Sequence, residues 1–310
     1  MRLLVLLRPY AALLAVLGGL VVLFGALSNH FLSPLTLRTL AGQIPPLVVV
    51  SVGMTFVLII AGIDLSVGAV VGLSSAVMGV LMVQAGWSLP LSLAGALLAG
   101  AACGAINGGI SVRWRIPSFI VTLGMLEMAR GGAYLVTNSQ TQYVGAGVQV
   151  LSAPVAGLPF AFWMALAVVA VAQVVLTRTV FGRHMLATGG NREAARLAGV
   201  TPGRVEFAVF VIAGLLSALG GVFQMGYLGS ADPNAGIGME LAAIAAVVIG
   251  GTSLMGGQGS VIATFLGVLI IAVLQLGLAQ LGVSEPMKRV VTGGVIVIAV
   301  IADVYRRKGD

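Results

Sequence analysis

The chain has 310 residues, of which 59% are hydrophobic and only 8% charged, and its mean hydropathy is +1.12. Soluble domains carry about 25% charged residues, so a surface built from this chain cannot be kept in water, and soluble classes are excluded. The net charge of +7 does not point to nucleic acid, because the basic residues form no single patch and instead punctuate the ends of apolar runs, as the positive-inside rule expects.

Those runs predict an all-α polytopic membrane protein with about ten transmembrane helices, near residues 11–28, 44–63, 67–85, 89–112, 117–137, 159–177, 205–228, 238–256, 260–281 and 287–304. A spanning helix needs ~20 largely apolar residues. The first run, preceded by Arg2 and Arg8, is longer than the ~7–15-residue core of a signal peptide and reads as a retained span. With the N-terminus in the cytoplasm, segments 113–116, 178–204 and the C-terminus are cytoplasmic and hold 12 of the 16 basic residues, including Arg306, Arg307 and Lys308. Only Arg38, Arg130, Lys288 and Arg289 fall elsewhere, and the longest outer loop, Asn138 to Pro159, has no charge. Residues 1–310 thus read as one transmembrane domain, with 178–204 a loop inside it. The 44 glycines suit closely packed membrane helices.

Two distant segments share a design. Ile59-Ile60-Ala61-Gly62-Ile63-Asp64-Leu65-Ser66-Val67-Gly68 and the stretch from Val248 to Ser260 each end an apolar helix, break at glycines and polar residues, and start a new helix. Paired glycine-interrupted breaks point to an internal repeat and a central pathway. A break at mid-membrane changes the helix count by one or two, because irregular backbone there must be satisfied by protein or water. Asp64, the sole carboxylate in the first 126 residues, is placed to cap the helix that follows, to serve in a pathway or gate, or both. Ser66, Thr252 and Ser253 are further pathway or gating candidates. Asn107, Gln224 and Gln275 lie in or near spans, where an amide bonds either another helix or a polar solute. Glu127 and Arg130 are spaced to neutralise each other, or to line an entrance. Cys103 reads as a packing residue. No His/Cys/Asp/Glu cluster has metal-ligand spacing, and His30 and His184 stand apart.

Between Arg178 and Arg204 the chain carries five arginines and one glutamate. Asn191 is a good helix N-cap, Glu193 favours the positive helix end, and Gly199 is a natural C′ residue. Ala194, Ala195, Leu197 and Ala198 supply an apolar side, while Arg192 and Arg196 share a face at i,i+4. This short helix either holds cytoplasmic charge in solvent or is where a partner protein pushes. The chain has no G-x-x-x-x-G-K-[ST] phosphate loop, so any ATP-driven work needs another chain.

Glu193-Ala194-Ala195-x-x-x-Gly199 resembles the EAA-and-Gly core of ATP-binding-cassette importer permeases. The stretch from Phe181 through Gly189, Gly190 and Asn191 is similar to the permeases of ribose-, xylose- and arabinose-type sugar importers. Gly62 to Gly68, Arg115-Ile116-Pro117-Ser118-Phe119-Ile120-Val121-Thr122-Leu123-Gly124, and Glu240 to Gly259 resemble the same branch. The Ile-x-Leu-Pro that follows the core in many other importer permeases is missing, and Ala242 stands where family members commonly have Asp. The resemblance implies a non-enzymatic transport subunit that forms the pathway for a monosaccharide, pentose or hexose. It implies that Gly189, Gly190, Asn191, Arg192, Glu193, Ala194, Ala195, Arg196 and Gly199 couple to an ATPase subunit. The implied partners are that ATPase, which binds ATP and magnesium while this chain binds no cofactor; a periplasmic or other extracytoplasmic sugar-binding protein; a second permease chain, identical or paralogous; and membrane lipid. The implied location is a bacterial inner membrane with both termini cytoplasmic. An ion-coupled secondary transporter is the alternative, for which an intramembrane carboxylate or His relay is expected. A non-transporting scaffold leaves the breaks and the island without purpose.

Overall fold

The computed structural model describes residues 10–308, so Arg2 and Arg8, like the side chains of Arg306, Arg307 and Lys308, lie outside the described residues. The helices are α1 (Ala11–Leu27), α2 (Pro34–Ile59), α3 (Val67–Val83), α4 (Leu89–Trp114), α5 (Ser118–Thr137), α6 (Phe160–Arg178), α7 (Val180–Gly190), α8 (Arg192–Leu197), α9 (Pro202–Leu228), α10 (Met239–Ile249), α11 (Val261–Gln280) and α12 (Glu285–Lys308). Among the described residues six of them, α2, α4, α5, α6, α9 and α11, are long and apolar enough to cross a membrane. The apolar helices α1 and α3 have 17 residues each.

The expected span at 238–256 is corrected. Its helix, α10, ends after 11 residues and covers only ~16 Å of a hydrocarbon layer ~30 Å thick. It stops because Gly251, at φ +81°, turns the chain left-handed, while the Gly251 and Thr252 amides bond back to Val248 and Val247. The expected start of α2 at 44 is also corrected. Ser33 caps that helix by accepting from the Thr36 amide at 3.2 Å, and Pro45 and Pro46 lie inside it.

Helix α9 packs most extensively on α4, α2 and α3. Gly100, Gly104 and Gly108 recur at every fourth residue along one face of α4. A Cβ at Gly100 would lie 2.4 Å from the Gly214 carbonyl, and one at Gly104 would lie 2.2 Å from that of Phe210. Such approach is what holds helices together where lipid removes the hydrophobic drive between them. Around this crossing Val48, Val49, Val52 and Phe56 of α2 form one apolar core with Val205, Val209 and Phe210 of α9. The apolar window of α2 is 89% buried, against 28% for α4 and 22% for α5, so α2 is interior and α4 and α5 face outward.

The end of the bundle carrying residues 178–204 is termed the basic end. At the opposite end β1 (Gln142–Tyr143) pairs antiparallel with β4 (Ser230–Ala231), and β2 (Pro154–Val155) with β3 (Leu158–Pro159). The uncharged loop is therefore ordered, and its own Val148 is fully buried against the bundle. Replacing Gly100 by Leu is expected to destabilise the protein by about 1–3 kcal/mol through overpacking, read as a lower thermal midpoint in detergent; an unchanged midpoint would contradict the α4–α9 crossing.

Candidate functional site

The arginine-rich segment folds as two helices rather than one. Thr179 caps α7, its hydroxyl accepting from the Gly182 amide at 3.2 Å, and Gly189 and Gly190 close that helix rather than leading into the next. Asn191 then caps α8 as expected, Oδ1 accepting from the Ala194 amide at 2.9 Å. Gly199, at φ +84°, ends it, with the Gly199 and Val200 amides bonded to Arg196 and Ala195. The apolar side is split: Ala195 is buried in the protein, whereas Leu197 projects with 79% of its surface exposed. Glu193 pairs with Arg196, and Arg192 reaches back to Glu206 of α9 at 2.7 Å. The Arg196 guanidinium holds the Glu193 carboxyl below its ordinary range, and Glu206 raises Arg192. The Glu193–Arg196 pair is therefore ionised at neutral pH and is lost only in acid.

The two glycine-interrupted breaks touch each other, and the end of α7 lies on their contact. The Gly257 amide donates to the Ile59 carbonyl at 2.8 Å. Gly189 sits so close to this bond that a Cβ there would lie 1.7 Å from the Ile59 oxygen and 2.7 Å from the Gly257 nitrogen. A Cβ on Gly256 would meet Ala61 and the Gly189 carbonyl, each at 2.8 Å. Three backbones, 59–61, 189–190 and 256–257, thus converge with only the Ala61 methyl among them. Ala61 is held left-handed at φ +59°, a conformation that costs an L-residue about 1–2 kcal/mol. A cavity of about 440 Å³ lies beside the junction, bounded by Gly62, Arg115, Ser118, Gly190, Arg192 and Glu206 among others.

Beyond the junction the first break is held by hydroxyls of α5. Ser118 Oγ accepts from the Ile63 amide at 2.9 Å, and Thr122 Oγ1 accepts from the Leu65 amide at 3.1 Å. Asp64 is buried, and its Oδ1 accepts from the Ser66 amide at 2.9 Å and the Ser66 hydroxyl at 2.6 Å. It fixes Ser66, the residue before α3, rather than bonding the first-turn amides of that helix. Asn107 of α4 donates to Ser66 Oγ at 3.0 Å, so Asp64, Ser66 and Asn107 form one buried network. In the second break Thr252 is buried and Ser253 Oγ accepts from the Met255 amide.

A third irregular stretch, residues 229–238, runs between α9 and α10 against α3. Arg130 holds it, Nη1 donating to the carbonyls of Pro233 and Ala235 at 2.8 Å each. The expected Glu127–Arg130 pair is therefore corrected: Arg130 turns inward to backbone, and Glu127 is exposed. Of the remaining pathway candidates, Gln224 and Gln275 come together. Both line a cavity of about 530 Å³ with Gln43, Gly236 to Met239, Lys288, Arg289 and Thr292. Lys288 is neutralised by Glu285. Gln43, Lys288 and Arg289 are site residues that sequence reasoning missed; an amide inside an apolar run and two cations off the expected side were the signals. Ser118 and Thr122, one turn apart, and Glu206, a lone acid opening a span, were also missed.

Broken apolar helices, a polar cavity among them and a capped helix exposed at one end define a membrane transport permease. Residues 36–300 match the family described as the branched-chain amino acid transport system / permease component, and the chain belongs to it. It is 42% identical over 295 residues to the ribose import permease protein of Bacillus subtilis, covering 92% of this chain and 89% of that one. It is 36% identical over 311 residues to the fructose import permease protein of Rhizobium meliloti, covering 97% and 86%. It is likewise 36% identical over 295 residues to the L-arabinose ABC transporter permease protein of Azospirillum brasilense, covering 92% and 86%. No solved structure matches the chain significantly.

Each buried carbonyl deprived of its donor costs about 1–3 kcal/mol. Arg130→Met is therefore expected to lower the thermal midpoint markedly, and Arg130→Lys less, because an ammonium still donates; equal midpoints for wild type and Arg130→Met would remove Arg130 from this role.

Proposed function

We propose that this chain is the membrane-spanning subunit of an ATP-binding-cassette importer and carries a monosaccharide, pentose or hexose, across a bacterial inner membrane. The observation that carries this reading is the junction. Helix α8 is joined through Asn191 and Gly190 to the backbone on which both breaks meet. A partner that presses on α8 has a stiff route to both broken helices, because Gly189 has no free space against Ile59 and Gly257. The partner is an ATPase subunit, which supplies the phosphate-binding loop this chain lacks and holds the ATP and magnesium. Leu197, exposed beside the Glu193–Arg196 pair, is the side chain that enters its surface.

The solute path runs through the cavity of Gln43, Gln224 and Gln275. A glutamine both donates and accepts, which matches sugar hydroxyls, and the names of the ribose, fructose and arabinose relatives support a monosaccharide. A soluble binding protein loads the cavity from the end opposite the basic one. A second permease chain completes the wall where Ile237 and Leu241 stand exposed. The positive-inside rule then puts the basic end, and both termini, in the cytoplasm.

Gly189→Ala tests the coupling. In proteoliposomes holding the complete importer it is expected to cut ATP-driven uptake by at least about tenfold, within the usual range of coupling energies, while the ATPase still copurifies. Uptake at the wild-type rate would overturn the coupling role, and uptake that persists with a catalytically dead ATPase would overturn the importer itself.

A further inference from the structure

A second cavity at the basic end, of about 620 Å³, lies between the end of α4, helix α8 and the start of α9. Its rim carries five arginines: Arg113, Arg115, Arg192, Arg196 and Arg204. Glu206 neutralises Arg192 and Glu193 neutralises Arg196. Among the described residues Arg113, Arg115 and Arg204 have no carboxylate in salt-bridge range. Its floor is apolar, formed by Gly109 and Val112 of α4 with Gly203 and Phe207 of α9. The helices meet closely there, a Cβ on Gly203 falling 2.8 Å from Val112. Phe207 is 41% exposed, and Trp114, over which the Arg113 guanidinium lies 6.0 Å from the ring centroid, is 64% exposed. The amides opening α9 add positive potential, since Thr201 makes no side-chain cap.

Three arginines without an ion-pair partner, above an apolar slot on the outward face of a poorly buried helix and beside an exposed tryptophan, match an amphiphile. We propose that this groove binds an anionic phospholipid of the leaflet at the basic end, its phosphate held by Arg113, Arg115 and Arg204 and its first acyl carbons against Val112 and Phe207. Basic pockets between membrane helices bind acidic headgroups in this manner, and tryptophan marks headgroup depth. An acidic protein surface meets the arginines equally well but leaves the apolar floor unfilled. The geometry therefore favours lipid.

The test uses the full-length chain in nanodiscs of neutral phosphatidylcholine, with Trp87 and Trp163 replaced by Phe so that Trp114 alone emits. Brominated phosphatidylglycerol at a low mole fraction is expected to quench Trp114 several-fold more than brominated phosphatidylcholine at the same fraction. Arg113→Gln/Arg115→Gln/Arg204→Gln should lower that preference by on the order of tenfold or more, given the contribution of each basic residue near a charged surface. The triple Lys variant should restore most of it, which separates charge from misfolding. Equal quenching by the two lipids, or a preference unchanged in the Gln variant, would overturn the proposal. Removal of the preference by millimolar inorganic phosphate would reassign the groove to a free anion. Loss of ATPase copurification from the Gln variant with the lipid preference intact would reassign it to protein docking.

Discussion

Backbone that leaves the helix inside a membrane protein must find every hydrogen-bond partner within the protein, because lipid offers none. Among the described residues three irregular stretches, 60–66, 250–260 and 229–238, are each answered differently. The first break takes hydroxyls from Ser118 and Thr122, the third takes the guanidinium of Arg130, and the second bonds the first directly, Gly257 to Ile59. The positions of α5, of the 229–238 stretch and of the two broken helices all follow from these few bonds.

The direct backbone contact has a mechanical consequence. Side chains can repack around a moving partner, but three backbones in contact at glycines must move together or separate. Helix α7 closes on that contact and α8 begins after a single intervening residue, so the exposed helix and both breaks share one stiff element. Packed interiors transmit displacement in this way because they are dense and offer few alternative arrangements. The cavity lined by Gln43, Gln224 and Gln275 also borders Gly236 to Met239, whose backbone leads into α10 and thence to the second break. Arg130 therefore supports a cavity wall at one end of a segment whose other end reaches the junction.

Much of this was legible in the sequence, and the reasons are local. Asn191 and Gly199 specify a helix start and stop by local capping chemistry alone, and both act as expected. The two glycine breaks were visible as interruptions of apolar runs. What was hidden depended on distance: nothing near Gly189 in sequence says that Ile59 and Gly257 lie against it, and nothing at Glu127 says that its neighbour Arg130 turns to carbonyls about a hundred residues later. Hydropathy also overextended α10, because the apolar run from Met239 carried the expected span to 256, past Gly251, which turns out of the helix. Three of the four basic residues off the expected side, Arg130, Lys288 and Arg289, proved to hold backbone or line a cavity. Their apparent misplacement was itself the signal.

Helix α8 and both breaks are expected to move as one. Hydrogen–deuterium exchange on the assembled importer, with and without ATP, follows peptides covering 60–66, 189–199 and 250–260 separately. A nucleotide-dependent change in exchange is expected in all three together. A change confined to 189–199, with both breaks unaffected, would contradict it.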